Sequence, residues 1–275
     1  MASIQIPDPL PSPTADCERL RKAFQGWGTD EEEIIKVLGH RNADQRIKIS
    51  QTYKQLYNES LIDRLQSELS GDFRNAVIMW ALDPSERDAK LAREALLSVI
   101  IEIACSSSPH HLIAVRRAYC SLYNCSLEED ILRKLLVSMV SSYRYDREEV
   151  DEIIAKAEAD KLHDAIMLWI LSTRNKFQLK VTFNSYEKNY GKPIGQFATL
   201  LRTAVWCIDS PESYFAEVIR ASIVGFGTDE DSLTRAIVTR AEIDLEKVKK
   251  EYNKTSLVVD DTSGDYKNFL VTLIG

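Results

Sequence analysis

The chain has 275 residues, 44% apolar and 28% charged, enough to bury a sizeable core as one or two domains or as an array of small repeats. Its net charge of −7 sets it against nucleic acid and bare anionic lipid, so a hold on a membrane surface needs a bridging cation. The longest apolar runs, such as 165–171, fall far short of the ~20 residues of a membrane-spanning helix, and residues 1–13 carry neither the basic segment nor the apolar stretch of a secretion signal.

Residues 1–13, with prolines at 7, 9, 11 and 13, read as an extended arm. The segment Gly26-Trp27-Gly28-Thr29-Asp30-Glu31 follows, and its Thr29 and Asp30 suit the start of a helix carrying Ile34, Ile35, Val37 and Leu38. Twelve residues after Thr29 stands Arg41; then Tyr53, Tyr57, Leu61, Leu65 and Leu69 recur every four residues, the spacing of one buried helical face. Tyrosines lie 12 and 16 residues after Arg41, after Ser107 (Tyr119, Tyr123) and after Arg174 (Tyr186, Tyr190), and Tyr252 lies 12 after Arg240. These anchors are 66, 67 and 66 residues apart, so the chain repeats itself four times. Without a period-two strand or a hairpin signal, the fold class is all-α, with about five helices per repeat.

The later repeats are short. Tyr57 to Trp80 spans 23 residues, whereas Tyr123 to Met139 and Tyr190 to Trp206 span 16 each. Tyr53 to Glu68 spans 15, but Tyr252 to Asp261 only 9, and repeats two and three also lose residues just before Val99 and Met167. Joining helix ends that a turn separates in repeat one is costly. The expectation is that the intact protein carries these segments as mobile loops beside cation sites, and that the sequence as read omits them.

A second Gly-x-Gly-Thr copy, Gly225-Phe226-Gly227-Thr228-Asp229-Glu230, lies 199 residues after the first and is again followed by an arginine, Arg240. Gly-x-Gly lets the backbone turn tightly enough for carbonyl oxygens to converge, an arrangement suited to hard cations. Glu68, in Ser67-Glu68-Leu69-Ser70-Gly71-Asp72, can supply the missing negative charge as a bidentate carboxylate from a second loop, which points to calcium. Trp27 stands at the loop apex, where an indole either enters a lipid headgroup layer or folds back on its own helix; Phe226 is its equivalent.

Four repeats of this kind, with Gly-x-Gly-Thr answered by the acidic residue of Ser-Glu-Leu-Ser-Gly-Asp-Phe, resemble the annexins, and the first repeat resembles a plant annexin. The resemblance runs from Thr14 onward and implies four annexin-type repeats forming a slightly curved disc: 14–84, then the shortened 85–146, 147–210 and 211–275, after the arm 1–13. It implies one calcium site from the backbone oxygens of Phe24, Gly26 and Gly28 with the Glu68 carboxylate, and another from Ile223, Gly225, Gly227 and Asp261. It further implies a cytoplasmic, non-enzymatic plant protein linked to stress responses that binds anionic phospholipid membranes as calcium rises. A cytoskeletal partner and self-association on membranes are additional roles that the family suggests, and nucleic acid is not among the partners.

Other signals stay open. His40 serves a helix C-terminus or, as the resemblance suggests, a peroxidase-like activity. Cys105 and Cys207, both in apolar contexts, are inert thiols or, as the resemblance implies, a redox pair; Cys17, Cys120 and Cys125 lie among polar neighbours. Glu128-Glu129-Asp130 reads as a solvated helix face. Asp261-Thr262-Ser263-Gly264 matches a nucleotide-site fragment without the phosphate loop that would accompany it, and aligns with Glu68 to Gly71 instead. The rival to calcium binding is a calcium-independent helical scaffold whose glycines only cap turns.

Overall fold

The computed structural model describes residues 2–26, 28–94, 97–131, 182, 185, 199–224, 227–252, 258 and 261–275. Every regular element among them is helical, as the four-residue periodicity predicts. The chain forms two compact units, one of residues 1–87 with 212–275 and one of residues 88–211.

The first unit begins with α1 (Pro13–Ala23), α2 (Glu31–Leu38), α3 (Ala43–Tyr57), α4 (Leu61–Glu68) and α5 (Gly71–Ala81). Local chemistry sets each start. Ser12 accepts from the Ala15 N–H with Pro13 in the first turn, Asp30 accepts from Glu33, and Asn42 and Gln45 close a reciprocal capping box on α3. Asn58, at φ 52°, ends α3 in the left-handed conformation that asparagine tolerates. Asp30, not Thr29, is the cap of α2, which leaves the threonine hydroxyl for another task.

Of the face predicted from spacing, Tyr53, Leu61, Leu65 and Leu69 are buried and Tyr57 is half-buried, and the five are divided between α3 and α4 and the residue that ends α4 rather than lying on one helix; Leu20, Ile34, Leu38, Ile49 and Trp80 are fully buried with them. After α6 (Pro84–Glu94), α7 (Leu97–Ser106), α8 (Pro109–Tyr123) and α9 (Thr199–Asp209), the chain returns to the first unit with α10 (Pro211–Ile223), α11 (Glu230–Arg240), α12 (Leu245–Tyr252) and α13 (Gly264–Ile274). Here α5 packs on α11 and α13, and Phe73 meets Phe269 edge to face at 6.0 Å, so the beginning and end of the chain share one core. Ser3 secures the arm to that core: its N–H donates to the Ala241 carbonyl, and its hydroxyl donates to the Leu273 carbonyl.

Three buried arginines knit the unit together. Arg41 grips Asp16 through two parallel bonds of 2.7 and 2.8 Å, with both side chains almost fully buried. Arg46 lies 3.5 Å from the centre of the Trp80 ring and reaches Glu242 at 2.8 Å. In the last repeat the position matching Asp16 is Phe215, and Arg240 finds its counter-charge in Asp244 instead, at 2.8 and 2.6 Å, while stacking over Phe215.

In the second unit α7 packs on α9. Arg93 reaches the Tyr119 hydroxyl at 3.4 Å and lies 5.0 Å from the Tyr123 ring centre; in the first unit Arg21 contacts Tyr53 and Tyr57 at 3.3 and 5.0 Å. The same clamp spans 26 residues in one case and 32 in the other. Repeat two has thus lost six residues between its first and third helices, and the clamp closes regardless. Residues 95 and 96, where the shortening falls, lie outside the described residues.

One further expectation changes, and one open position is settled. Asp130 is no solvated residue: it is 5% exposed, accepts from the Tyr119 hydroxyl at 2.6 Å and pairs with Arg93 at 2.8 Å. Cys17, despite its polar neighbours in sequence, is fully buried and donates to the Ile49 carbonyl. Arg174, Tyr186, Tyr190 and Met139 lie outside the described residues.

Burial, then the nearby Asp16 and Glu18 charges, pushes the Cys17 thiol up to about 11, so at neutral pH it is protonated and inert. Alkylation mapped by peptide mass should label the exposed Cys120 in the native protein and Cys17 only after denaturation. Asp16→Asn leaves the Arg41 charge buried without its partner and should lower unfolding stability by about 3–5 kcal/mol, read as a fall in the urea midpoint. Replacing both residues with apolar side chains of matching volume should recover most of that loss.

Candidate metal centre

Between α1 and α2 the chain makes a closed loop. The Asp30 N–H returns to the Ala23 carbonyl at 3.0 Å, which forces the intervening residues into a tight excursion. Gly26 and Gly28 turn it with φ of 119° and 89°, values that side-chain-bearing residues rarely adopt, and nothing lies within 4 Å of where a Cβ would sit at either. The last repeat does the same: the Asp229 N–H reaches the Ser222 carbonyl at 2.7 Å, Gly227 has φ 93°, and Asp229 caps α11 as Asp30 caps α2.

A carboxylate is brought to each loop by a threonine. Thr29 donates its hydroxyl to the Glu68 backbone oxygen at 3.4 Å and stands 3.1 Å from the Glu68 carboxylate. Thr228 donates to the Asp261 backbone oxygen, also at 3.4 Å. Gly71 and Gly264, both at φ 60°, turn the chain into the next helix behind these acids. The shortened stretch before Asp261 therefore leaves it at the same station as Glu68. Thr29 was legible only as a helix cap and Thr228 only as part of the repeated motif; their bridging role depends on partners 39 and 33 residues away.

Of the eight ligands the resemblance implies, Phe24, Gly26, Gly28 and Glu68 converge at the first loop, and Ile223, Gly227 and Asp261 flank the second; Gly225 lies outside the described residues, as do Trp27 and Phe226. Val224, beside the second loop, is 55% exposed. Among the described residues no three carboxylate, imidazole or thiol groups form a metal cage, and what stands together at the first loop is the Glu68 carboxylate and main-chain oxygens such as the Phe24 carbonyl, both within reach of Arg64. That is a hard, oxygen-only donor set with open space in front of it, which fits calcium and disfavours softer metals.

The two loops share an acidic setting. A cleft of about 350 Å³ in the first unit is lined by Glu31, Glu68, Asp72, Glu230, Asp261 and Asp265. At its base burial pushes the Tyr266 hydroxyl up to about 12; it stays neutral, 2.8 Å from the Thr234 hydroxyl, and donates to the Glu230 backbone oxygen. Sequence reasoning also missed Arg64, whose guanidinium lies 2.7 Å from the Glu68 carboxylate and donates to the Phe24 carbonyl at 3.3 Å.

His40 is placed elsewhere: its Nδ1 lies 2.8 Å from the Gln5 carbonyl and so ties the N-terminal arm to the end of α2. Cys105 and Cys207 sit on the packed helices α7 and α9, half-buried and fully buried respectively.

The annexin family profile matches residues 15–80, 88–136 and 214–273. Among curated proteins, Annexin D3 of Arabidopsis thaliana is 48% identical, covering 100% of this chain and 99% of its own length. Annexin-like protein RJ4 of Fragaria ananassa is 48% identical over 94% of this chain and 95% of its own. The alignment with Annexin D3 runs over 318 positions, so at least 43 of them have no residue among the 275 here. Among solved structures, annexin III superposes with a TM-score of 0.84 at 29% identity, covering 100% of this chain and 97% of that one. Calcium-bound annexin (Sm)1 gives a TM-score of 0.77, also at 29% identity, with coverages of 100% and 93%. A chain that aligns from end to end with such relatives, and repeats their fold around paired glycine loops, belongs to the annexin family.

Proposed function

We propose that the protein attaches reversibly to anionic phospholipid membranes through calcium ions held at the loops of its first and last repeats. The observation that carries this reading is the repeated geometry: in both loops a threonine hydroxyl brings an acidic residue to a positive-φ glycine, Gly28 or Gly227, through the same 3.4 Å contact. Phe24, Gly26 and Gly28 would offer carbonyl oxygens and Glu68 a bidentate carboxylate; Ile223, Gly225, Gly227 and Asp261 would do so at the second loop. Calcium accepts six to eight oxygens, so such a set leaves places for water or a lipid phosphate. The ion then supplies the positive charge that a chain of net −7 lacks toward an acidic bilayer.

Trp27 and Phe226, at the loop apices in sequence, would enter the headgroup region beside the exposed Val224. No helix among the described residues is long and apolar enough to cross a membrane, so attachment at the surface is the mode that fits. Repeat two has lost six residues where its own glycine loop would stand and carries no site in this reading. The protein works from the cytoplasm, and self-association or a cytoskeletal partner would follow attachment.

Co-sedimentation with phosphatidylserine vesicles across a calcium series tests the proposal. Wild-type protein should pellet with calcium and stay in solution with chelator. Glu68→Gln should raise the calcium needed by about tenfold or more, and Glu68→Gln with Asp261→Asn should abolish pelleting. Pelleting that ignores both chelator and the double variant would instead favour the calcium-independent scaffold.

A further inference from the structure

Two atoms assigned to the first calcium site, the Phe24 carbonyl oxygen and one Glu68 carboxylate oxygen, are both in contact with the same nitrogen of Arg64, at 3.3 and 2.7 Å. The guanidinium therefore stands between the loop and its acid, where a bound cation would draw on the same oxygens. We propose that Arg64 is a built-in competitor of calcium at the first loop, a resident cation that the metal must displace, and that it sets the calcium level at which this site loads. This rests on the reading of Glu68 and Phe24 as calcium ligands.

Three further observations support displacement over a fixed structural role. Arg64 and Glu68 are 28% and 22% exposed, so the pair is wet enough to open without burying a naked charge. The Arg64 Nε is buried and finds no acceptor, so the present pose leaves one of its donors unsatisfied. The other terminal nitrogen of Arg64 already lies 3.7 Å from Glu59, itself paired with Arg21 at 2.8 Å, which offers the guanidinium a carboxylate to move to when Glu68 turns to a metal.

The last repeat has no arginine at the matching sequence position. Four residues before Asp261, where Arg64 stands before Glu68, the sequence has Leu257. The two loops, alike in glycine geometry and threonine bridge, are thus unlike in what their acid must give up. The second loop should load at lower calcium and the first at higher, giving graded attachment.

Calorimetric titration of the full chain with calcium alone, without lipid, tests this. Arg64→Gln removes the competing charge and should tighten one site by roughly two- to tenfold, the range expected for releasing a partly exposed ion pair and a nearby like charge. Arg64→Lys, which keeps the charge, should stay within about twofold of wild type, and Arg64→Gln should have no effect when Glu68→Gln is already present. Thermal unfolding by circular dichroism confirms that each variant is folded. If Arg64→Gln weakens calcium binding or leaves it unchanged while Glu68→Gln still removes a site, the arginine organises the carboxylate and the competitor role is wrong. If Glu68→Gln titrates like wild type, the calcium reading of the loop fails and takes this proposal with it.

Discussion

The clamp between an arginine on the first helix of a repeat and two tyrosines on the third fixes the frame on which the sites hang. Arg21 with Tyr53 and Tyr57, and Arg93 with Tyr119 and Tyr123, make the same contacts within a few tenths of an ångström, although 32 residues separate arginine from first tyrosine in one repeat and 26 in the other. Each arginine also holds a carboxylate, Glu59 or Asp130, at 2.8 Å. The clamp thus has the same geometry in the full and in the shortened repeat. Packing and the glycine loop are distinct in the first repeat: the clamp holds the helices at fixed spacing, and the loop is an excursion between them.

Buried charge follows the same logic of one constraint met in different ways. Arg41 and Arg240 occupy the same place in their repeats, yet one draws its counter-charge from Asp16 on the first helix and the other from Asp244 just beyond its own helix. In the second repeat the arginine position is Ser107, and Asp88 is 2.6 Å from His111 instead. What persists in these three repeats is a buried carboxylate with a hydrogen-bonding partner near the start of the third helix, because an unpaired charge there would cost several kcal/mol. The residues that supply it change.

This explains which parts were legible in the sequence. The helices, the buried tyrosine–leucine face, the repeat spacing and both glycine loops are local or periodic patterns, and they stand in the structure where they stand in the text. The burial of Cys17 and Asp130 was hidden because neighbours in sequence were polar, while the groups that enclose them come from other helices: Ile49 for the thiol, Arg93 and Tyr119 for the carboxylate. Thr29 looked like a cap because it precedes a helix, but Asp30 takes that position and frees the threonine for Glu68. Arg64 reads as one more charged residue on a helix until the loop it reaches, 40 residues earlier in the chain, is seen beside it.

An acidic chain that must capture a cation faces a problem before the ion arrives, because converging carbonyl oxygens and a carboxylate repel one another. The first loop meets it with hydrogen-bond donors from within the chain: the Thr29 hydroxyl on one carboxylate oxygen, and the Arg64 guanidinium on the other and on the Phe24 carbonyl. Such donors keep the acid near the loop, which favours capture by lowering the ordering cost, and a positive one also opposes it by offering the oxygens a rival. The hydroxyl is neutral and can stay when the metal binds; the guanidinium cannot share the space. On the proposed reading, threonine at both loops and arginine four residues before the acid at the first alone separate two tasks, holding the site together and deciding when it opens to the ion.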